Sequence, residues 1–364
     1  MAVDYDDCLI YREGHVRTTV IVKDPMRQLV LSSPGELQWR EAEPPRLSDP
    51  RAAIVRPLAV GVCDFDRAVV TGRYKALTCP IPIGHEIVAE VVETGAQVAT
   101  ITPGMQVILP LHISCGACRP CAAGRTNSCE QRPPLSNYGL GPRGGDWGGG
   151  MSDLLLVPYA DAMAVPVPAG LSPTDCAAIG CNLADMYRTI APYVASDPGR
   201  PVLIVSGQAS NMALYGIVIA RALGVASIDV ADSSRTRLEA AEALGAKAVD
   251  ISDRKARELY SVVVDCSGEP EGLAFALSRV APDGVCHGVW PHAESMSLPL
   301  GAMFMRNVTF VTGQPHVRTH IGPVLDLMQA RTFSSVSIPV EILPWHEAPD
   351  AFGFGEMKRI FVRP

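Results

Sequence analysis

The hydrophobic and polar positions of the chain follow different patterns in its two halves. Up to about residue 170, short apolar runs are separated by stretches rich in Pro and Gly, which is typical of short strands and turns in an irregular β domain. These runs lie at 26–31, 54–60, 87–92, 105–109 and 154–157. Ser33-Pro34-Gly35 is a turn signal after the first run, and the Gly-rich stretch 139–150 predicts a loop. The first half is therefore predicted to be mainly β-structure.

After residue 170 the pattern alternates between apolar strands and helices. Ser172 before Pro173 is a helix-start signal, because serine caps a helix and proline is tolerated in its first turn. A run short and apolar enough for a buried parallel strand lies at 202–205, and further strands are predicted at 228–232, 262–264 and 308–311. Helices are predicted between the first three, over 212–223 before Gly224 and over 235–244 before Gly245. This alternation predicts an α/β unit with a doubly wound parallel sheet.

The last segment, 338–364, regains the β-rich character of the first half. We therefore predict that the α/β unit is inserted late in a β-rich domain. The β-rich domain is assigned to 26–177 and 312–364, the α/β domain to 178–311, and residues 1–25 to an N-terminal extension.

Composition places the chain among globular proteins of about two domains. The 364 residues are 48% hydrophobic and 19% charged, with a mean hydropathy of +0.17, which is too apolar for disorder. No apolar stretch approaches 18 residues, so we expect no membrane-spanning helix. A net charge of −7 argues against nucleic-acid partners, because proteins that bind the phosphate backbone carry clustered Lys and Arg. The early acids Asp4, Asp6 and Asp7 do not resemble a secretion signal, so a cytoplasmic, reducing location is expected.

Four of the eleven cysteines lie within fifteen residues, at Cys115, Cys118, Cys121 and Cys129. In a reducing compartment such cysteines are metal ligands more often than disulfides. Four converging thiolates suit a closed, structural zinc site, whose metal would stabilise a lobe with few apolar residues. An iron–sulfur cluster uses similar spacing and is the alternative metal group.

A second ligand set is dispersed along the chain. Cys63, His85 and Cys181 each lie next to or near a glycine, in the sequences Gly61-Val62-Cys63, Gly84-His85 and Gly180-Cys181. Singly these residues are weak signals, because a lone buried cysteine is commonly a small apolar filler. Together, two cysteines and one histidine with an open fourth position form the ligand set of a catalytic zinc.

With both metal motifs in this order, the chain from Met26 to Pro364 resembles the zinc-dependent medium-chain dehydrogenase/reductase family, of the alcohol dehydrogenase type. The resemblance implies a GroES-like catalytic domain interrupted by a Rossmann domain, two zinc ions per chain, and a homodimer or homotetramer. It implies that Cys63, His85 and Cys181 bind the catalytic zinc. Glu86 would be a nearby acid or a transient ligand, and Asp66 would orient His85 by a hydrogen bond.

The implied reaction is hydride transfer between a nicotinamide cofactor and an alcohol, aldehyde or ketone, with zinc as a Lewis acid on the substrate oxygen. Family members usually carry Ser or Thr two residues after the first zinc cysteine to relay a proton, whereas this chain has Phe65. Water or Asp64 could carry the proton, or Phe65 could simply line an apolar pocket. The alternative function is reduction of an activated C=C or C=N bond in a biosynthetic pathway.

The segment after the strand at 202–205 is a degraded dinucleotide fingerprint. Gly207 stands where strand meets helix, Ala209 follows in the same loop, and Ala213 replaces the packing glycine. Asp232, 25 residues after Gly207, favours NAD over NADP because its carboxylate would bind the ribose 2′-hydroxyl. By family analogy Arg359 reaches the pyrophosphate. The weakened glycine pattern leaves a non-catalytic dinucleotide-binding protein as a second alternative.

Overall fold

The computed structural model describes residues 25–74, 77–141, 144–252, 258–292, 295–331 and 333–364. The predicted extension 1–25 therefore lies almost wholly outside the described residues. The described strands are β1 (Met26–Ser33), β2 (Glu36–Ala42), β3 (Ala53–Gly61), β4 (Ile81–Pro82), β5 (Glu86–Thr94), β6 (Gln106–Leu109), β7 (Leu155–Val157), β8 (Val165–Pro166), β9 (Val202–Val205), β10 (Ile228–Asp232), β11 (Lys247–Asp250), β12 (Tyr260–Asp265), β13 (Val280–Gly288), β14 (Thr309–Thr312), β15 (Val340–Pro344) and β16 (Lys358–Val362).

Eleven α-helices are described, together with short 3₁₀ turns at Thr126–Ser128 and Trp345–Glu347 and a π-helical turn at Ile179–Leu183. The helices are α1 (Asp64–Val70), α2 (Arg119–Ala122), α3 (Ala160–Met163), α4 (Pro173–Cys176), α5 (Ala184–Val194), α6 (Ser210–Ala222), α7 (Arg235–Ala243), α8 (Pro270–Ser278), α9 (Leu300–Phe304), α10 (Val317–Arg331) and α11 (Ala348–Ala351). None of these helices combines the length and the apolar character needed to cross a membrane.

The β-rich part of the molecule contains two sheets. A seven-stranded sheet has the order β15-β16-β3-β5-β6-β8, with β7 pairing to β3, and a three-stranded sheet has the order β2-β1-β4. β16 pairs antiparallel with β3, so the end of the chain returns to the sheet that its first half builds. The apolar runs of the first half form strands as predicted.

The α/β part is a six-stranded, wholly parallel sheet in the order β11-β10-β9-β12-β13-β14. Its central strand β9 is completely buried, as its four consecutive apolar residues require in a sheet covered on both faces. The predicted strands are confirmed, and β11 and β13 are added to them. The predicted α/β fold class with a β-rich partner is therefore confirmed.

Two helices, α4 of the β-rich part and α6 of the α/β part, begin or end near the residues that the sequence predicts. Ser172 caps α4 by accepting from the backbone N–H of Asp175, and Pro173 occupies the first turn. α6 begins at Ser210, two residues before the prediction, and the chain leaves it through Gly224 with a φ of +80°. Of these two helices, α6 packs against β9 and β10 of the parallel sheet, whereas α4 packs against β3 and β5 of the β-rich part.

Candidate active site and zinc centres

Three buried side chains from separate elements converge on one point. Cys63 caps α1, His85 directly precedes β5, and Cys181 lies in the π-helical turn before α5. Their ligand atoms all lie within 4.8 Å of one another. Gly180 permits this approach, because a Cβ at that position would lie 2.3 Å from the carbonyl oxygen of Leu109.

Asp66 links two of the three ligands. One carboxylate oxygen accepts a hydrogen bond from the backbone N–H of Cys63 at 3.0 Å, and the other lies 3.0 Å from Nδ1 of His85. With Nδ1 on this side, Nε2 of the His85 ring is left for the shared centre. The Asp66 carboxylate is thus placed beside the His85 ring, and its orienting role stays a prediction.

Glu86 lies beside the centre in a buried ion pair. Its Oε2 is 2.5 Å from Nζ of Lys358, and its Oε1 accepts from the backbone N–H of Asn182 at 3.3 Å. Burial raises the pKa of Glu86 to about 7 although Lys358 acts in the opposite direction. Because both oxygens have protein partners, the geometry favours the nearby-acid role for Glu86 over that of a transient ligand.

Sequence reasoning missed Lys358 and Asn182. Nδ2 of Asn182 donates to Sγ of Cys63 at 3.1 Å and to Sγ of Cys181 at 3.5 Å, while its Oδ1 accepts from Lys358 at 3.0 Å. Asn182 therefore connects the Glu86–Lys358 pair to both sulfur ligands. The available signal was a lysine at the start of the apolar strand β16.

The clustered cysteines form the second centre, on a lobe built from α2 and the turn Thr126–Ser128. The four sulfur atoms lie within 4.8 Å of one another, and the Cys118 and Cys129 sulfurs are 4.0 Å apart. Sulfurs around a tetrahedral zinc with bonds of about 2.3 Å are about 3.8 Å apart, whereas a disulfide needs about 2 Å. The Cys121 backbone N–H lowers the pKa of the Cys118 thiol to about 6, whereas burial raises the pKa of the Cys121 and Cys129 thiols.

Both centres fit zinc in the chemistry of their donors. The four-cysteine site is closed, since every corner of a tetrahedron has a protein sulfur. The Cys63–His85–Cys181 site offers three donors and borders a cavity of about 240 Å³ on the remaining side.

Phe65 forms part of the apolar wall of this cavity. Its ring centroid is 4.7 Å from that of Tyr74 and 5.8 Å from that of Trp290. The polar side of the cavity includes His112, whose Nε2 lies 3.2 Å from Oε1 of Gln314. Burial lowers the pKa of His112 to about 4, so this imidazole is neutral at physiological pH.

A second, larger cavity of about 720 Å³ runs along the carboxyl edge of the parallel sheet. Gly207 lines it at the end of β9 and packs so tightly against Ser267 that a Cβ would lie 2.6 Å from the Ser267 carbonyl oxygen. Asp232 lines it at the end of β10, with its carboxylate bound by Arg237 at 2.7 and 2.8 Å. A glycine turn and a strand-end acid at this edge fit an adenine dinucleotide.

Three other predicted cofactor residues do not line this groove. Ala209 and Ala213 are buried, with 0% and 1% of their surfaces exposed, because their methyl groups pack into the core beneath the loop. Arg359 binds Glu341 at 2.6 Å and donates to the carbonyl oxygens of Ala351 and Phe354. Its guanidinium is thus held in the β-rich part. Arg67 and Arg73, which the sequence analysis did not select, line the groove instead.

Asp64 is not the proton carrier that the sequence suggested as one alternative to Ser or Thr. Its carboxylate is completely buried and is directed to the start of α6, where it accepts from the backbone N–H of Asn211 at 2.9 Å. It is not among the side chains that line the cavity beside Cys63.

Comparisons with known proteins agree with this arrangement. The profile of the alcohol dehydrogenase GroES-like domain matches residues 49–169. The chain is 32% identical over 276 residues to a glutathione-independent formaldehyde dehydrogenase of Pseudomonas aeruginosa, covering 72% of this chain and 67% of that protein.

Solved structures extend the likeness to both parts of the fold. The alcohol dehydrogenase TADH from Thermus sp. ATN1 superposes with a TM-score of 0.85 at 28% identity, over 93% of this chain and all (100%) of that one. A structure from Sinorhizobium meliloti that holds NADP superposes with a TM-score of 0.76 at 25% identity, over 93% and 99% of the two chains. These relatives favour alcohol and carbonyl chemistry over both alternatives that the sequence left open. The chain belongs to the zinc-dependent medium-chain dehydrogenase/reductase family and is an oxidoreductase that interconverts alcohols and carbonyl compounds with a nicotinamide cofactor.

Proposed function

We propose that the chain is an NAD-linked dehydrogenase of small primary alcohols and aldehydes, with a catalytic zinc on Cys63, His85 and Cys181. The observation that carries this proposal is the convergence of these three donors at the wall of a cavity of about 240 Å³. A space of this size, below the usual 300–1,000 Å³ of ligand pockets, suits a substrate of few atoms.

In the proposed reaction zinc supplies a Lewis acid for the substrate oxygen, and the nicotinamide accepts or donates the hydride. Asp66 holds the His85 ring, and Asn182 holds the Cys63 and Cys181 sulfurs by N–H···S hydrogen bonds. Phe65 and Trp290 exclude water from the apolar side of the cavity. Since Phe65 has no transferable proton, the substrate proton leaves by a water-mediated route.

The proposed preference for NAD rests on Asp232. A carboxylate at the end of β10 accepts from a ribose 2′-hydroxyl and repels a 2′-phosphate. Arg237 already pairs with this carboxylate at 2.7 Å, so its charge is not free to attract a 2′-phosphate.

We further propose that zinc on Cys115, Cys118, Cys121 and Cys129 is structural, giving two ions per chain. The β-rich domain would comprise 26–177 and 312–364 and the Rossmann domain 178–311, a division supported by the separate sheets of the two parts. A cytoplasmic homodimer or homotetramer is proposed on family resemblance.

Metal analysis and a substrate panel test the proposal. Two zinc ions per chain are expected, and primary alcohols of one to four carbons should reduce NAD. Cys63→Ala should remove one zinc ion and abolish turnover. Cys79→Ala changes a half-buried cysteine outside the two centres and should retain two zinc ions and the turnover. One zinc per chain in the unmodified protein would refute the catalytic site. Turnover of enals or iminium compounds, with none of alcohols or aldehydes, would refute the proposed reaction.

A further inference from the structure

A buried carboxylate occupies the start of helix α6. Oδ2 of Asp64 accepts from the backbone N–H groups of Asn211 and Met212 at 2.9 and 3.2 Å, and Oδ1 accepts from Nδ2 of Asn211 at 2.8 Å. Asp64 is completely buried and directly follows the zinc-ligand candidate Cys63. An ionised side chain here makes charge-assisted hydrogen bonds to the positive end of a thirteen-residue helix.

These N–H groups belong to the turn that binds phosphate in dinucleotide-binding folds. A pyrophosphate at such a turn accepts from backbone donors at the helix start. Here the neighbouring donors also have protein acceptors: Gln208 N–H donates to the Ser267 carbonyl at 2.9 Å and Ala209 N–H to the Cys266 carbonyl at 3.0 Å. The protein therefore supplies acceptors to these backbone donors itself, and the acceptor at Asn211 and Met212 is the Asp64 carboxylate.

Two arginines that line the groove also donate hydrogen bonds to acceptors of the protein. Arg67 donates to Oδ1 of Asp64 at 3.0 Å, and Arg73 donates to Oε1 of Gln208 at 2.7 Å. The Gln208 amide in turn donates to Glu269 at 2.7 Å, so a polar chain runs from Arg73 across the loop to the α/β part. A phosphate entering the groove meets arginines that already have partners.

We propose that Asp64 is an affinity-determining residue that competes with the cofactor pyrophosphate for the start of α6. This inference rests on the proposed cofactor groove. The pyrophosphate carries negative charge, and Asp64 adds a like charge in a buried position where water screens it poorly. Neutralising Asp64 removes this repulsion and frees Arg67 for the phosphates. Asp64 thereby sets the cofactor affinity below the value that the groove would otherwise provide.

The test compares two ligands that carry the pyrophosphate with one that lacks it. NADH, ADP-ribose and adenosine are titrated against the zinc-loaded full chain and its Asp64→Asn variant, by fluorescence and calorimetry. We expect Asp64→Asn to bind NADH and ADP-ribose at least tenfold more tightly, and adenosine within twofold of the unmodified protein. If the affinity for adenosine changes as much as the affinities for NADH and ADP-ribose, the substitution has altered the whole groove, and the inference about the pyrophosphate is refuted.

Asp161→Asn is the matched control. Asp161 also accepts from two successive backbone N–H groups, of Ala99 and Thr100, and its loss changes the net charge equally, but it lies away from the groove. Its NADH affinity should not change. Asp64→Ser provides a second neutral variant, in case Asp64→Asn folds poorly. Zinc content and circular dichroism verify that each variant is intact.

An unchanged or weaker affinity of folded Asp64 variants for ADP-ribose would overturn the inference. This result is distinguishable from failure of the proposed function, in which the unmodified enzyme does not oxidise alcohols with NAD. Tightening of ADP-ribose without alcohol turnover would support the role of Asp64 and refute only the reaction.

Discussion

The buried pair of Lys358 and Glu86 predicts a large loss of stability when the lysine is replaced. Both side chains are completely buried, and their charged atoms lie 2.5 Å apart. Among the described residues no other side-chain cation lies within salt-bridge distance of Glu86. Removing one partner of such a pair leaves an uncompensated buried charge, which costs about 3–5 kcal/mol. We expect Lys358→Met to lower the free energy of unfolding by this amount.

The loss of unfolding free energy in Lys358→Met should grow with pH. Burial raises the pKa of Glu86 from 4.5 to about 7 even with Lys358 present, so the native state binds the proton more tightly than the unfolded state. Stability from this group therefore falls as the pH rises from 4.5 to the native pKa. Without Lys358 the native pKa rises further, and the fall continues above pH 7, by up to about 1.4 kcal/mol per pH unit.

Urea unfolding of the zinc-loaded protein at pH 6 and pH 8 measures both effects. Lys247→Met is the matched control, because Lys247 forms a 3.6 Å pair with Asp229 while its side chain is 66% exposed, and its loss should cost less than about 1 kcal/mol. The double variant Lys358→Met/Glu86→Gln should recover part of the loss, since it removes the stranded charge. A Lys358→Met protein within about 1 kcal/mol of the unmodified protein at pH 8 would refute the reasoning.

Three further predictions concern the other sites. Cys129→Ser should lower the zinc content from two ions to one and expose the lobe 115–129 to proteolysis; retention of both ions would refute the assignment. Asp232→Ala should release Arg237 and shift the ratio of kcat/KM for NAD over NADP about tenfold toward NADP, whereas an unchanged ratio would remove Asp232 from the cofactor site. Burial lowers the pKa of His287 to about 4, so its contribution is complete above pH 6.5 and is lost, by about 3 kcal/mol, as the pH falls toward 4; His287→Gln should flatten that part of the stability profile in urea titrations.

Local patterns allowed much of the fold to be predicted. Consecutive apolar residues identified β9 and β12, because strands buried on both faces need no polar alternation. The four clustered cysteines could also be recognised from the sequence, since they lie close together along the chain. β4 and β8 were missed because each has only two residues and is defined by its pairing partner.

The rest of the site depends on contacts that local patterns do not contain. Lys358 and Glu86 are 272 positions apart, and Asp64 meets Asn211 across 147 positions. The sequence around Asp64 contains no pattern that indicates its contact with the start of α6. Arg359 shows the opposite case, because family analogy placed it at the cofactor while Glu341 and two carbonyl groups hold it elsewhere.

The spacing of the two ligand sets also has a consequence for how the molecule assembles. Cys115 and Cys129 are 14 positions apart, whereas Cys63 and Cys181 are 118 positions apart. Closing the longer loop costs about 2 kcal/mol more in chain entropy, since the cost grows as (3/2)RT ln n. The cysteine lobe can therefore capture its metal while the chain is still largely open. The Cys63–His85–Cys181 centre requires distant segments to meet, so we expect it to take up metal after the cysteine lobe during refolding.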